Sequence, residues 1–238
     1  MSPPKLTASD VASRDLFGAS VAIDSDTVVV GAFNGDSGNT DDTGSAYVFT
    51  RSGTSWSEQQ KLTASDVASR DLFGASVAID SDTVVVGAFN GDSGNTDDTG
   101  SAYVFTRSGT SWSEQQKLTA SDVASRDRFG FSVAIDGDTV VVGAEEDDDN
   151  GKNSGSTYIF TRDGAGWTQE AKLTASGGEN SDRFGHSVAL DGDTVVVGTF
   201  NDDNDNTDDT GSAYVFTRSG TSWSEQAKLT ASRSEERR

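Results

Sequence analysis

Short apolar runs separated by turn chemistry follow one another from Phe17 onward. The first, Phe17-Gly-Ala-Ser-Val-Ala-Ile23, ends at Asp24-Ser25-Asp26. The second, Thr27-Val-Val-Val-Gly-Ala-Phe33, is β-branched and too short for a helix. A polar stretch from Asn34 to Gly44 leads into the third, Ser45-Ala-Tyr-Val-Phe-Thr50, and a turn around Gly53 leads into the fourth, Trp56-Ser-Glu-Gln-Gln-Lys-Leu62. Only the fourth run alternates: Trp56 and Leu62 share one parity, while Ser57, Gln59 and Lys61 share the other. The first three are apolar on both parities, which in a sheet means cover on both faces, whereas the fourth meets water on one side.

This pattern repeats along the whole chain. The string KLTAS begins at Lys5, Lys61, Lys117, Lys172 and Lys228, a spacing of 55 or 56 residues, and residues 5–60 and 61–116 are identical. Each copy carries one tryptophan (Trp56, Trp112, Trp167, Trp223) and one tyrosine (Tyr47, Tyr103, Tyr158, Tyr214). In copies three and four the first turn becomes Asp136-Gly137-Asp138 and Asp191-Gly192-Asp193, a tight-hairpin signal. The sequence therefore predicts an all-β chain, a β-propeller built of four-stranded antiparallel blades with four repeats per chain. The blades fall at 5–60, 61–116, 117–171 and 172–232, and 233–238 is a frayed tail. Radial stacking explains the burial pattern, because each sheet lies between two neighbours and only its outer strand meets solvent. A β-solenoid is the rival architecture, but its coils are shorter than this repeat. Glycines beside the strand aromatics, Gly18 and Gly31, suit close approach of neighbouring blades.

The pairs Phe17-Gly18 and Gly31-Ala32 recur as Phe73-Gly74 with Gly87-Ala88, Phe129-Gly130 with Gly143-Ala144, and Phe184-Gly185. They resemble the FG-GAP repeat, which builds the integrin α-subunit head and many microbial surface proteins. The fuller order FGxSVAID, DTVVVGA, GSAYVF, W and KLTAS resembles its bacterial and archaeal branch most closely. The resemblance implies a propeller, often seven-bladed, outside the cell or at its surface, in adhesion or ligand binding. Two departures limit what carries over. The proline of Gly-Ala-Pro is Phe33, Phe89, Glu145 or Phe200 here, and the integrin-type calcium loop between first and second strands is replaced by the turn at Asp24 to Asp26.

Charge narrows the partners. The chain has 39 acidic and 18 basic residues, a net charge of −21, which excludes the basic footprint that nucleic acid requires. Cysteine is absent, so neither disulfides nor thiolate metal sites arise. No stretch approaches a membrane span, and Met1 to Lys5 does not read as a signal peptide. Four blades also pose a closure problem. They form a small ring, or part of a longer array, or two chains pool their blades as a homodimer into an eight-bladed ring. An open stack would leave apolar sheet faces exposed, and the pooled ring is favoured because the blades of the family it resembles suit larger rings. The extra KLTAS at Lys5 to Ser9 is a candidate closing strand for the last blade.

The acidic loops between second and third strands are the candidate ligand sites. They offer Asp36, Asp41, Asp92, Asp97, Asp147, Asp149, Asp203 and Asp205 as oxygen ligands, and calcium is the ion they would suit. The competing reading is a solvated loop, acidic for solubility. No copy completes the EF-hand spacing. His186, the sole histidine, stands where other copies have Ala19, Ala75 and Phe131, and reads as a variable inner-strand residue. Asp15, Asp71, Asp127 and Asp182, two residues before each Phe-Gly, are expected to accept backbone N–H bonds in a turn. Repeated carboxylates without a repeated base point away from catalysis. The expected roles are a non-enzymatic module that binds a surface protein or glycan, or a scaffold that assembles with its own copies.

Overall fold

The computed structural model describes residues 5–10, 12–35, 42–66, 68–91, 98–122, 124–164, 166–202 and 210–231. Among them there is no helix, and sixteen strands form four four-stranded sheets. Blade one holds β1 (Ser20–Asp24), β2 (Thr27–Ala32), β3 (Ser45–Ser52) and β4 (Ser55–Leu62); blade two holds β5 (Ser76–Asp80), β6 (Thr83–Ala88), β7 (Ser101–Ser108) and β8 (Ser111–Leu118). Blade three holds β9 (Phe129–Asp136), β10 (Thr139–Ala144), β11 (Ser156–Asp163) and β12 (Gly166–Leu173); blade four holds β13 (Phe184–Asp191), β14 (Thr194–Thr199), β15 (Ser212–Ser219) and β16 (Ser222–Leu229). Every blade is an antiparallel meander in chain order, with its first strand innermost. The tail at 233–238 lies outside the described residues.

Local chemistry accounts for this meander. The first turn requires a left-handed residue, and Ser25, Ser81, Gly137 and Gly192 adopt φ of 51°, 54°, 55° and 54°. A register shift between Val48 and Phe49, repeated at Val104/Phe105, Ile159/Phe160 and Val215/Phe216, twists each outer strand away from its neighbour.

Packing occurs between blades, and each blade has two different faces. One is aliphatic: Val29, Ala46, Val48 and Leu62 in blade one. The other is aromatic: Phe73, Val84, Val86, Tyr103, Phe105 and Trp112 in blade two. The aliphatic face of blade one lies on the aromatic face of blade two, and the same contact recurs between blades two and three and between three and four. Within the aromatic face the Phe-Gly phenylalanine sits edge-on to the tyrosine and the second phenylalanine, at 5.5 and 5.9 Å for Phe73 and 5.4 and 5.9 Å for Phe129.

Glycine makes the joints close. A Cβ on Gly31, Gly87 or Gly143 would lie 2.0, 2.0 or 2.1 Å from the carbonyl oxygen of Gly74, Gly130 or Gly185 in the following blade. The same three joints carry a bridge from Gly44 to Phe73, Gly100 to Phe129 and Gly155 to Phe184. Ser20, Ser76 and Ser132 complete them by donating to those glycine carbonyls.

A fourth such joint would join blade four to blade one, and among the described residues the four blades do not make it. β13 packs on β9, and β1 packs on β5, but among the described residues blades four and one make no comparable contact. A Cβ on Gly18 would meet nothing within 4 Å, and one on Gly198 would meet only its own blade's Ser187. The ring is an open arc. Residues 5–10 lie on the aromatic face of blade one, where Leu6 and Ala8 pack with Phe17, Tyr47 and Trp56. Ser9 bonds Glu58 through its N–H and hydroxyl (2.8 and 2.9 Å), as Ser65 bonds Glu114 in the next blade. The segment expected as a closing strand is thus docked on blade one in the manner of the inter-blade linkers, and residues 5–8 join no sheet.

Candidate functional site

The two ends of the arc differ. The hairpin turns at Ser25 and Gly53 and their counterparts occupy one end, and the long acidic loops, the inter-blade linkers and the Phe-Gly pairs occupy the other. Among the described residues, the candidate chemistry gathers at this long-loop end.

Of the eight loop aspartates singled out above, Asp36, Asp41, Asp92, Asp97, Asp203 and Asp205 lie outside the described residues. Asp147 and Asp149 are brought together with Asp122 of the preceding linker, their oxygens within 4.8 Å of one another. A cation already sits among them: Lys172 Nζ lies 2.6 Å from Asp122, 3.1 Å from Asp147 and 2.5 Å from Asp149. Burial opposes the charge on Lys172, but its hydrogen bonds to Asp122, Asp149 and Asp147 outweigh that and hold its pKa above the ordinary lysine value. Asp147 also accepts from the Tyr158 and Ser156 hydroxyls, both at 2.9 Å. The carboxylates suit an ammonium group, and a calcium ion would need Lys172 to leave. Blade four builds a smaller version from Asp202, which takes Lys228 at 2.8 Å and the Tyr214 hydroxyl at 3.0 Å. Asp202, not Asp203 or Asp205, is the residue that corresponds to Asp147. Alignment of Gly35, Gly91, Asp147 and Asp202 across the copies was the signal for it.

A second constellation, unlike anything in blades one and two, lies on the inner rim. Glu145 is fully buried, yet its carboxylate meets Arg128 at 3.1 Å, Arg183 at 3.4 Å and His186 Nδ1 at 2.7 Å. Glu146 takes the same two guanidinium groups at 3.2 and 3.4 Å. Burial of a carboxylate is tolerable only with such partners. The rings continue the row: Phe89 to Phe131 at 5.4 Å, Phe131 to His186 at 5.2 Å, and His186 stacked on Phe200 at 4.9 Å. The Arg128 guanidinium lies 5.6 Å over Phe89. A polar cavity of about 290 Å³, lined by Asn90, Asp98, Arg126, Arg128 and Glu146, opens beside it. His186 is therefore tied to a specific carboxylate across the joint, more than the variable residue that the sequence alone suggests.

The turn aspartates behave as expected. Asp15, Asp71, Asp127 and Asp182 are buried and accept the N–H of Ala12, Ala68, Ala124 and Glu179 at 2.7, 2.8, 2.8 and 2.7 Å. Burial pushes the pKa of Asp127 up to about 6, against the Ala124 N–H, and the nearby Asp147 and Asp148 carboxylates add to the rise. The folded chain takes up this proton near pH 6, but the unfolded chain only near 3.8. Stability from Asp127 is therefore gained as pH falls from 7 to 4, by roughly 2 kcal/mol. The opposite sign holds for Asp10, Asp66 and Asp122, whose pKa values are lowered. The Lys61 bond is the main cause for Asp10; for the other two, bonds from Lys117 and Tyr103 or Lys172 and Tyr158 outweigh burial. Their contribution is present above the ordinary carboxylate value and is lost as pH falls through their lower folded values. Urea titrations should thus show maximal stability near pH 4 to 6, and Asp127→Asn, which keeps an acceptor oxygen, should flatten the rise between pH 7 and 4. An unchanged profile in that variant would assign the rise to another group.

With the geometry in place, similarities to known proteins can be set against it. The family profile described as FG-GAP repeat matches residues 3–49, 56–105, 112–160 and 167–216. No curated protein matches the chain. Among solved structures it is similar to the periplasmic gluconolactonase PpgL of Pseudomonas aeruginosa, at 14% identity and a TM-score of 0.55, over 92% of this chain and 59% of that one. It is similar also to Sqt1 of Saccharomyces cerevisiae, at 12% identity and a TM-score of 0.51, over 92% of this chain and 50% of that one. Both are propeller proteins. The chain spans only about half to three fifths of their length, and at these identities the likeness speaks to the fold alone.

Proposed function

Since the chain belongs to the FG-GAP repeat family, we propose that it is a non-enzymatic β-propeller module that holds a protein or glycan partner outside the cell. The partner lies against the inner rim at the long-loop end. One observation carries this reading: the row Phe89, Phe131, His186 and Phe200, with Arg128 over its first ring, is a one-off surface on an otherwise repetitive scaffold. Blades one and two place Ala19 and Ala75 where blades three and four place Phe131 and His186, and Leu16 and Leu72 where they place Arg128 and Arg183. Flat rings flanked by guanidinium groups are the residue types that anchor protein interfaces, and the same ring faces can carry a sugar.

A catalytic reading has weaker support. The gluconolactonase likeness extends to the fold only, and the Glu145 carboxylate is taken up by Arg128, Arg183 and His186 rather than aimed at open space. The test is a panel of glycans and cell-surface proteins probed with the intact chain and with Phe131→Ala and Phe200→Ala. A captured ligand is expected to bind at least tenfold more weakly to each variant, with unchanged circular dichroism. Equal capture by both variants would move the site off the rim.

A further inference from the structure

The two ends of the arc are the two halves of a joint that the chain makes three times internally. At the C-terminal end, blade four presents its aliphatic face. Val196, Ala213 and Val215 are half-buried there, while their counterparts Val85, Ala102 and Val104 in blade two are fully buried. Leu229 is 52% exposed, against 1% for Leu62 and Leu118. At the N-terminal end, blade one presents its aromatic face. Val21 is 67% exposed where Val77 is 9%, and Leu16, Ile23, Phe17 and Trp56 also lose cover that their counterparts have. The polar parts of the joint are open as well. Ser187 stands where Ser20, Ser76 and Ser132 donate to the next blade, and Gly18 offers the carbonyl that Gly74, Gly130 and Gly185 offer. The inner turns add one more pair, because Asp24, Asp80 and Asp136 each accept an N–H from the following blade's turn at 2.6–2.7 Å, and Asp191 is the next in that series.

We propose that two copies of this chain close head to tail into one eight-bladed ring, the aliphatic face of each blade four seated on the aromatic face of the other copy's blade one. The occupant is a second copy because the three internal joints show that these residues fit each other. A contact between unlike faces either closes or polymerises. Two arcs together supply eight blades, and two such lengths match the Sqt1 propeller chain, half of which this chain overlays. The docked N-terminal segment refines the proposal. Leu6 and Ala8 cover blade one as Leu62 and Ala64 cover blade two, so residues 5–8 hold the place that residues 228–231 of the second copy would take. The two KLTAS segments compete, and the N-terminal one acts as a removable plug. With a charge of −21 on each copy, association also strengthens with salt.

Light scattering after size exclusion, across protein concentrations and at about 0.15 and 1 M salt, tests this on the whole chain. The expected mass at high salt is twice 24.9 kDa. Val196→Lys should return the mass to 24.9 kDa with an unchanged circular dichroism spectrum. Gly198→Ala provides a second variant, because its new methyl group meets only Ser187 within one copy and the Gly18 carbonyl across the joint. Deletion of residues 1–9 should tighten the dimer by tenfold or more. A monomer at every concentration and salt overturns the proposal, as does a dimer indifferent to both substitutions. Open-ended oligomers overturn ring closure, and a deletion that weakens the dimer overturns the competition. None of these readouts depends on the rim ligand.

Discussion

Gly87→Ala is expected to destabilise the chain by about 3 kcal/mol, one of the largest effects of any single methyl group here. Gly87 does not use a conformation reserved for glycine, so the effect is steric. The new Cβ would sit 2.0 Å from the Gly130 carbonyl oxygen and 2.2 Å from Ser76 Oγ. The serine can rotate, but the carbonyl is main chain at the head of β9 and cannot move alone. Blades two and three must separate, and the Ser76 bond to Gly130 goes with them. For a chain of this size such a loss lowers Tm by roughly 6 to 12 °C. The internal control is Gly198→Ala, measured in the monomer, where only Ser187 lies in the way and the loss should stay under about 1 kcal/mol. Equal melting temperatures for the two variants would mean that the joints have slack that the geometry does not show.

Lys172→Met is the second large effect, expected at about 3 kcal/mol near neutral pH. Methionine replaces the stem and the packing over Tyr158, so the change isolates the charge. It leaves Asp147 buried with hydroxyl donors but no cation, and Asp122 and Asp149 within reach of it. The repeat again provides a control. Lys61 makes its ion pair with Asp10 at 2.6 Å, but about half of the Asp10 side chain is exposed and Gly35 stands where blade three has Asp147, so Lys61→Met should lose less than about 1 kcal/mol. Denaturant unfolding at several pH values checks both. The Lys172→Met deficit should shrink in acid as the carboxylates take up protons, and a deficit independent of pH would make it a packing effect instead.

Both predictions concern positions of very different legibility in the sequence. The blades, the strand order and the glycine joints follow from a period of 55 or 56 residues and from apolar runs of two kinds, because each blade's contacts repeat what its neighbour's sequence repeats. The turn aspartates follow for the same reason. The Glu145 cluster does not. It joins the end of one blade's second strand to the start of the next blade's first strand, 41 residues on, and no local spacing marks that adjacency. Its trace was the replacement of Phe89 and Ala75 by Glu145 and His186, with Leu72 replaced by Arg128 and Arg183, all at rim positions. Lys172 illustrates another limit. Counting carboxylates in a loop suggested a divalent cation, but the lysine that answers them arrives from an outer strand through the fold.

The directionality of the joints bears on how such a gene can change length. Every unit ends in the face that the next unit's beginning requires, so a duplicated or deleted stretch of one period leaves the boundaries on either side matched as before. Unequal recombination between near-identical copies, of which residues 5–60 and 61–116 are the plainest pair, would alter the number of blades without creating a surface that lacks its complement. Selection would then act on curvature and closure rather than on repairing a broken interface.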